Sequence, residues 1–284
     1  MDRKVAADMD RRAYLKLVGA GGAAGMMGLA GCTGGGGDGT PTTTTTEDGG
    51  NGTTTTGDGN GDVTTITPGT APGFAPFEFK QGDELVGFDI DLTAAVVENM
   101  DGYELGEWQE FEFASLIPAL TSENIDLIAA AMTINDERKQ TIAFSDPYYE
   151  ADQSVLVAAG GDFSPSSLDD LNGHPVGAQK GTTGESIVQE QVPDATYRGY
   201  DNYVLAVRDL ENGNVDAVVL DKPVAENFAS NSNVEVAFVE ETGEQYGLGV
   251  RQDSDFLDAL NQALATVQDD GTYDELVNKW FGQE

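Results

Sequence analysis

The segment Thr133-Ile-Asn-Asp-Glu-Arg-Lys-Gln-Thr-Ile-Ala-Phe-Ser-Asp-Pro-Tyr-Tyr149 carries the clearest signal in this 284-residue chain. It sets one arginine, Arg138, at the start of a short predicted helix, beside hydroxyl and aromatic side chains. A guanidinium group presents a planar pair of N–H donors, which bind a carboxylate more strongly and more directionally than a lysine ammonium does. The segment therefore predicts a site for a small carboxylate. For an isolated arginine near a helix start, a surface ion pair is the alternative.

A second segment lies upstream, Phe77-Glu-Phe-Lys-Gln-Gly-Asp-Glu-Leu-Val-Gly-Phe-Asp-Ile-Asp-Leu92. The two segments together closely resemble the amino-acid-binding proteins of ABC importers, which include the glutamine-binding and the lysine/arginine/ornithine/histidine-binding proteins. The resemblance implies an α/β fold with two lobes, the type II periplasmic-binding-protein fold, in which a ligand lies in a hinged cleft. It also implies that residues 63–149 and 248–284 form lobe 1 and that residues 150–247, with the hinge segments, form lobe 2.

The hydrophobic pattern supports an α/β fold independently. Short β-rich segments alternate with helical ones, an arrangement that is typical of layered α/β proteins. The predicted strands are Thr64–Thr67, Leu105–Trp108, Ile125–Ala130, Val155–Ala158, Val176–Ala178, Thr196–Tyr200, Ala217–Leu220 and Val234–Phe238. One predicted helix begins after an Asp89 cap and buries Ile90, Ala94 and Val97. A second begins after Ser254, and its apolar stripe is Phe256, Leu260, Ala263, Leu264 and Val267.

The first residues are typical of an export signal. Arg11-Arg12-Ala-Tyr-Leu-Lys16 is a twin-arginine pattern, and an apolar, glycine-rich run leads from it into Leu29-Ala-Gly-Cys32. The pattern predicts that residues 1–31 are a twin-arginine lipoprotein signal peptide that is cleaved before Cys32. A single transmembrane anchor is the alternative, but the run from 17 to 29 has thirteen residues, whereas a spanning helix needs roughly twenty.

Cys32 is the only cysteine, so one chain can form neither a disulfide nor a thiolate metal site. It is predicted instead to carry the lipid that anchors the protein to a membrane. Residues 32–62 comprise this cysteine and a Gly/Thr/Asp linker, which has no large apolar residue with which to offset the entropy of ordering. We expect a disordered tether there, about 30 Å in root-mean-square span.

The charge balance limits the partners. The chain has 50 acidic and 14 basic residues, a net charge of −36, and removal of residues 1–31 would leave 47 acidic and nine basic residues. Such an excess of negative charge excludes nucleic acid as a partner. Self-repulsion would be screened at about 1 M salt, where the Debye length is about 3 Å, so we expect a protein adapted to high salt. An ordinary acidic secreted protein is the alternative.

The resemblance implies ligand-binding roles for particular residues. Arg138 and Thr133 match the positions that bind a ligand carboxylate, and Thr183 adds a donor from the second lobe. Thr183 lies in Gln179-Lys-Gly-Thr-Thr-Gly184, a glycine-rich turn of the kind that binds anions through backbone N–H groups at a helix start. Asp221 matches the aspartate that pairs with the ligand ammonium, and a helix N-cap is the alternative role for it.

Other matched positions form the pocket for the ligand side chain. The resemblance assigns Phe74 and Phe113 to packing against that side chain, where aromatic faces bind aliphatic or cationic groups. It assigns Gln179 to the same pocket. Ala131 stands where a Gly or Ser often lends its carbonyl to the ligand ammonium. Ala71 replaces an aspartate of several relatives with polar or basic ligands, and this loss of a partner for a cationic or amide side chain argues against glutamine, histidine or arginine. Gln179 still allows a polar side chain, so the sequence leaves the identity of the amino acid open.

These features predict a binder rather than an enzyme. We expect a lipid-anchored monomer on the extracellular face of the cytoplasmic membrane, which captures a free amino acid and delivers it to an ABC transporter permease, without cofactor or metal. A receptor subunit for chemotaxis or signalling is an alternative, because it would have the same cleft. A cyclohexadienyl-dehydratase-like enzyme is another, but the only histidine, His174, lies in a loop that is expected to be exposed.

Overall fold

A computed structural model of the protein describes residues 63–282, in which fourteen strands and eight α-helices alternate along the chain. The strands are β1 (Thr64–Ile66), β2 (Pro68–Thr70), β3 (Phe79–Gln81), β4 (Glu84–Val86), β5 (Tyr103–Leu105), β6 (Gln109–Glu110), β7 (Leu127–Ile128), β8 (Ile142–Phe144), β9 (Tyr149–Ala158), β10 (Pro175–Gln179), β11 (Thr196–Tyr200), β12 (Ala217–Asp221), β13 (Val234–Tyr246) and β14 (Gly249–Arg251). The helices are α1 (Phe88–Glu98), α2 (Leu116–Thr121), α3 (Asp136–Lys139), α4 (Thr183–Gln191), α5 (Tyr203–Glu211), α6 (Lys222–Asn231), α7 (Leu257–Asp269) and α8 (Thr272–Phe281). None of these helices is long and apolar enough to cross a membrane. The predicted export signal, Cys32 and the tether lie outside the described residues.

Two five-stranded sheets form the centres of two lobes. The first has the strand order β6-β2-β7-β14-β8, and the second has the order β11-β10-β12-β9-β13. In each sheet three strands are parallel and the strands that complete it pair antiparallel. The chain passes from the first sheet to the second between β8 and β9 and returns between β13 and β14. The first lobe therefore needs a strand from the C-terminal part of the chain.

The start of α1 differs from its prediction. Gly87 occupies the N-cap position, and Asp89 lies inside the first turn of the helix, where it is buried. The Asp89 carboxylate accepts hydrogen bonds from the backbone N–H of Ala131 and from the hydroxyl of Tyr148, each at 2.7 Å. The predicted Asp89 cap is therefore wrong, because this side chain points into the molecule and supports the backbone of the cleft.

The structure confirms the predicted apolar face of α7 and corrects that of α1. In α7 the predicted stripe is buried and is thus confirmed, although the helix begins at Leu257 rather than directly after Ser254. In α1 the predicted face is rotated, since Ala94 is exposed and Ile90 only half-buried. The residues that α1 buries are Phe88, Asp89, Leu92, Thr93, Val96 and Val97. Because the first turn buries a carboxyl group, counting apolar residues alone does not identify the buried face of this helix.

The predicted strands fall on observed strands, with errors at their ends. Of residues 105–108 only Leu105 belongs to a strand, and within residues 125–130 the strand is limited to Leu127–Ile128. The pattern missed β2, β3, β4, β6, β8 and β14, each of which has only two or three residues. Segments this short have too few residues to show a period of two.

Candidate functional site

A cavity between the two lobes brings together all eight side chains that the resemblance assigned to ligand binding. Its lining residues are Ala71, Phe74, Glu78, Phe113, Ala130, Ala131, Thr133, Arg138, Gln179, Thr182, Thr183 and Asp221. The enclosed volume is about 10 Å³, roughly what a single water molecule requires. A larger ligand therefore enters only when the lobes separate or the lining side chains rearrange.

Arg138 is held at the boundary between the lobes. Asn135 caps α3 by accepting a hydrogen bond from the backbone N–H of Arg138 at 2.8 Å. The guanidinium is buried and donates to the carbonyl oxygens of Thr133 at 2.6 Å and of Gly181 at 3.0 Å, one from each lobe. Burial lowers the pKa of Arg138, and nearby carboxylates, chiefly Asp221, oppose that shift. No carboxylate within residues 63–282 forms an ion pair with it.

The hydroxyls of Thr133 and Thr183 come from opposite lobes and converge on one atom. Thr133 lies before α3, and Thr183 is the first residue of α4. Both hydroxyls donate to Oε2 of Glu244, each at 2.9 Å, and Nε2 of Gln153 lies 3.3 Å from the same oxygen. A carboxylate oxygen is thus held where donors from both lobes meet.

Asp221 faces the cavity rather than the helix that follows it. It ends β12 and occupies the N-cap position of α6, but its side chain makes no capping hydrogen bond. Its Oδ1 instead accepts hydrogen bonds from the Tyr246 hydroxyl at 2.6 Å and from Nε2 of Gln153 at 3.0 Å. Burial raises the pKa of Asp221 to about 7; Glu244 adds to the rise, and the hydrogen bond from Tyr246 opposes it.

Ala131 has a backbone conformation that normally favours glycine. Its φ is 44°, in the left-handed region, where a side chain is strained. The hydrogen bond from its N–H to Asp89 helps to hold this conformation. Burial raises the pKa of Asp89 to about 7, while the bonds from Ala131 and Tyr148 lower it. The buried Asp89 therefore orders the stretch of backbone that lines the cavity.

The remaining predicted residues already have partners in the protein. The ring of Phe74 packs 5.6 Å from that of Tyr203, which belongs to the other lobe. The Phe113 ring centre lies 5.3 Å from Cζ of Arg138, a cation–π contact that helps to orient the guanidinium. Nε2 of Gln179 donates to the carbonyl oxygen of Asp201 at 3.2 Å.

Sequence reasoning missed four polar residues at this site: Glu78 and Thr182, which line the cavity, and Gln153 and Glu244, which bond to lining residues. Glu78 lines the cavity, and its Oε2 has no hydrogen-bond partner among the described residues. Burial raises the pKa of Glu78 well above its ordinary value, and Asp89 adds to the rise. Gln153 could have been noticed as a polar residue two positions before the apolar Val155. Glu244 gave no signal, because it stands in an acidic run typical of a solvated surface.

Comparisons with known proteins agree with this architecture. A probable histidine-binding protein of Campylobacter jejuni is 34% identical over 220 residues, 76% of this chain and 84% of the relative. An ABC transporter arginine-binding protein of Escherichia coli is 35% identical over 226 residues, 77% of this chain and 91% of the relative. The crystal structure of an ancestral amino-acid-binding protein, a precursor of cyclohexadienyl dehydratase, covers 76% of this chain and 95% of its own, with 36% identity and a TM-score of 0.71.

These matches confirm the predicted two-lobed periplasmic-binding-protein fold. Residues 66–283 match the bacterial extracellular solute-binding proteins, family 3. The match covers far more than half of the chain and includes both sheets. This chain therefore belongs to the family 3 extracellular solute-binding proteins.

Proposed function

We propose that this protein captures a free amino acid outside the cell and delivers it to the permease of an ABC transporter. The names of the histidine- and arginine-binding relatives support this assignment. One observation carries the proposal: a cation, two hydroxyls and a carboxyl converge from both lobes on one enclosed cavity. These groups are Arg138, Thr133, Thr183 and Asp221.

The cavity has a group for each charge of an amino acid. The guanidinium of Arg138 has five N–H donors, so the two that bond backbone carbonyls leave others for a ligand carboxylate. The hydroxyls of Thr133 and Thr183 add neutral donors beside it. Asp221, with the carbonyl of Ala131, would receive the ammonium group.

The side chain of the ligand would lie among Phe74, Phe113 and Gln179, and we propose that it is basic. Arg138 and Asp221 balance the two charges of the amino-acid backbone. Glu78 then remains as an unpartnered acid in the cavity wall, where a cationic side chain would favour its ionised form. Glu78 would thus replace the acid that is lost at Ala71.

Capture requires movement of the lobes, since the enclosed volume is only about 10 Å³. Separation about the two crossings would open the cavity, and a bound amino acid would hold the closed form by contacting both lobes. A hinged closure of this kind gives a permease a shape to recognise. The hinge of this movement would lie in the backbone near Tyr149 and Tyr246, where β9 and β13 pair.

A thermal-shift screen of the full chain in molar salt, against each common amino acid, tests the proposal. The protein is first unfolded and refolded to remove any ligand carried through purification. An amino acid at about 100 times its Kd should stabilise the fold by about 2.7 kcal/mol. For a domain of this size that corresponds to a rise in Tm of about 5–10 °C. A folded, stripped protein whose Tm responds to none of them would contradict the proposal.

We also propose that the mature chain is a monomer anchored by lipid on Cys32 after twin-arginine export, with residues 33–62 as tether. The sequence motifs support this, and the family is extracellular. Cys32→Ser should move the protein from the membrane fraction to the soluble fraction. The same distribution for both proteins would contradict the anchor.

An enzyme is the second candidate, because one matched structure is a precursor of cyclohexadienyl dehydratase. Glu78 could supply a protonated carboxyl to such chemistry, whereas His174 lies away from the cavity, with Nδ1 2.7 Å from Asp216. We expect no turnover of a cyclohexadienyl substrate by the full chain. Turnover that is lost in Glu78→Gln would establish the enzyme instead.

A further inference from the structure

A carboxylate of the chain itself already occupies the point between the lobes where the hydroxyl donors converge. Oε2 of Glu244 accepts hydrogen bonds from Oγ1 of Thr133 and Oγ1 of Thr183, each at 2.9 Å. Thr133 belongs to the first lobe, whereas Thr183 belongs to the second. This single oxygen atom therefore links the two lobes.

A bulge in β13 directs the Glu244 side chain towards these two hydroxyls. The pairing of β13 with β9 shifts register just before Glu244, so that residues 241–243 bulge opposite Asp152. Oδ1 of Asp152 accepts hydrogen bonds from two backbone N–H groups of the bulge, at 3.0 and 3.1 Å. A bulge re-aims the residues that follow it. Glu244 then pairs with Ala151, which places its side chain on the same face of the sheet as Gln153.

These contacts leave no hydroxyl hydrogen for a second carboxylate. A threonine hydroxyl has one hydrogen to donate, and in both Thr133 and Thr183 it goes to Glu244. The same two hydroxyls receive the ligand carboxylate in the proposed function, on which this inference rests. Two carboxylates that share these donors would also repel each other at this partly buried position.

We propose that Glu244 is an internal stand-in for the ligand carboxylate, which links the lobes of the ligand-free protein and is displaced when an amino acid binds. Breaking its hydrogen bonds opposes binding, so Glu244 lowers the affinity and sets the concentration at which capture begins. A ligand without a carboxylate cannot replace these bonds. Glu244 is thus a residue that determines both affinity and selectivity.

The first test measures affinity in the full chain. Glu244→Ala is compared with wild type and with Glu235→Ala, which removes the same charge from an exposed position of the same strand. Calorimetric titration with L-arginine should show about tenfold tighter binding to Glu244→Ala, equivalent to about 1.4 kcal/mol, and no change in the control. Unchanged or weaker binding would overturn the proposal. It would mean that Glu244 does not oppose binding, and that its role is instead to support the site or to pair with the ligand ammonium.

The second test needs no amino acid. Amide hydrogen exchange near Thr133 and Thr183 reports how often the lobes separate in the ligand-free chain. Exchange there should be about threefold faster in Glu244→Ala than in wild type or Glu235→Ala. Sodium acetate should slow it again in Glu244→Ala alone, because a free carboxylate can occupy the vacated position. Equal exchange in all three proteins, with or without acetate, would overturn the proposal.

The two tests separate this inference from the proposed function. If neither wild type nor Glu244→Ala bound any common amino acid, the proposed function would fail. Even then, amide exchange in Glu244→Ala that acetate slows would support the role of Glu244 as an internal carboxylate. Exchange that acetate does not change would overturn that role.

Discussion

Arg138 shows how a buried cation can be oriented for a ligand without an ion pair to any of residues 63–282. Its guanidinium donates to two backbone carbonyls and packs against Phe113, which together fix its orientation. Because the group is already ordered, binding of a carboxylate costs little side-chain entropy. The remaining donors of the planar fork would then be available to both oxygens of a ligand carboxylate.

Arg138→Ala should lower the affinity for an amino acid at least about a hundredfold, or about 2.7 kcal/mol, since it removes the only cation among the residues that line the cavity. Titration calorimetry measures this loss. Lys139→Ala, which removes a charge from the exposed neighbour, is the control and should bind like wild type. Circular dichroism verifies that the variant folds, and near-wild-type affinity in folded protein would contradict the carboxylate site.

Three buried carboxyl groups make the stability of the ligand-free protein depend on pH. Burial raises the pKa of Asp89 and of Asp221 from 3.8 to about 7, and that of Glu78 well above its ordinary value. A carboxyl with a raised pKa binds its proton more tightly in the folded state. Its contribution to stability is therefore complete below the unfolded value and is lost as pH rises through about 7.

We expect the Tm of the ligand-free chain in molar salt to fall between about pH 5 and about pH 8. Each kcal/mol lost lowers Tm by about 2–4 °C in a domain of this size. Asp221→Asn removes one of the titrating groups and should flatten this dependence, whereas Asp253→Asn, at an exposed position, should not. A Tm that rose over this range would contradict the raised pKa values of these buried acids.

At the level of elements, the start of α1 depends on one glycine. Gly87 has a φ of 143°, and a Cβ atom there would lie 2.0 Å from the carbonyl oxygen of Phe77. The backbone N–H groups of Phe88 and Asp89 donate to the carbonyls of Pro76 and Phe77, at 2.9 and 3.0 Å. This close approach joins the helix to the segment that carries Phe74 and thereby positions one wall of the cavity.

Gly87→Ala should destabilise the protein by at least about 3 kcal/mol, because it combines backbone strain with a steric overlap against main-chain atoms. Gly82→Ala is the matched control: Gly82 also has a positive φ, 68°, but a Cβ there would meet nothing within 4 Å. Only the conformational strain remains in the control, about 1–2 kcal/mol. Urea unfolding of both variants compares the two effects, and equal losses would show that the overlap is relieved.

At the scale of the whole molecule, the net charge of −36 predicts that the stability of the fold depends on salt. Between about 0.1 and 1 M salt the Debye length falls from about 10 to 3 Å, so repulsion between surface carboxylates is screened. We expect Tm to rise by at least about 5 °C over this range of KCl, with a smaller rise in sucrose of equal osmolality, which screens no charge. Equal stability at low and high KCl would contradict adaptation to salt.

The sequence by itself determined the features that short, contiguous segments encode. The motif from Thr133 to Arg138 spans six residues and, with the segment from Phe77 to Leu92, predicted the fold and part of the cavity wall. The stripe of α7 was predicted correctly, because an amphipathic helix repeats its apolar positions within one segment. All eight predicted binding positions line the cavity, and their roles toward a ligand stay predictions.

Only the tertiary structure decided which acidic residues bond to the residues that line the cavity. Glu244 resembles its acidic neighbours in sequence, yet its partners Thr133 and Thr183 are 111 and 61 residues away. Likewise, Asp89 was predicted to cap a helix and instead supports Ala131 across the fold. The surroundings of a carboxyl depend on which distant segments pack against it, and burial by those segments, rather than local pattern, sets its hydrogen bonds and its pKa.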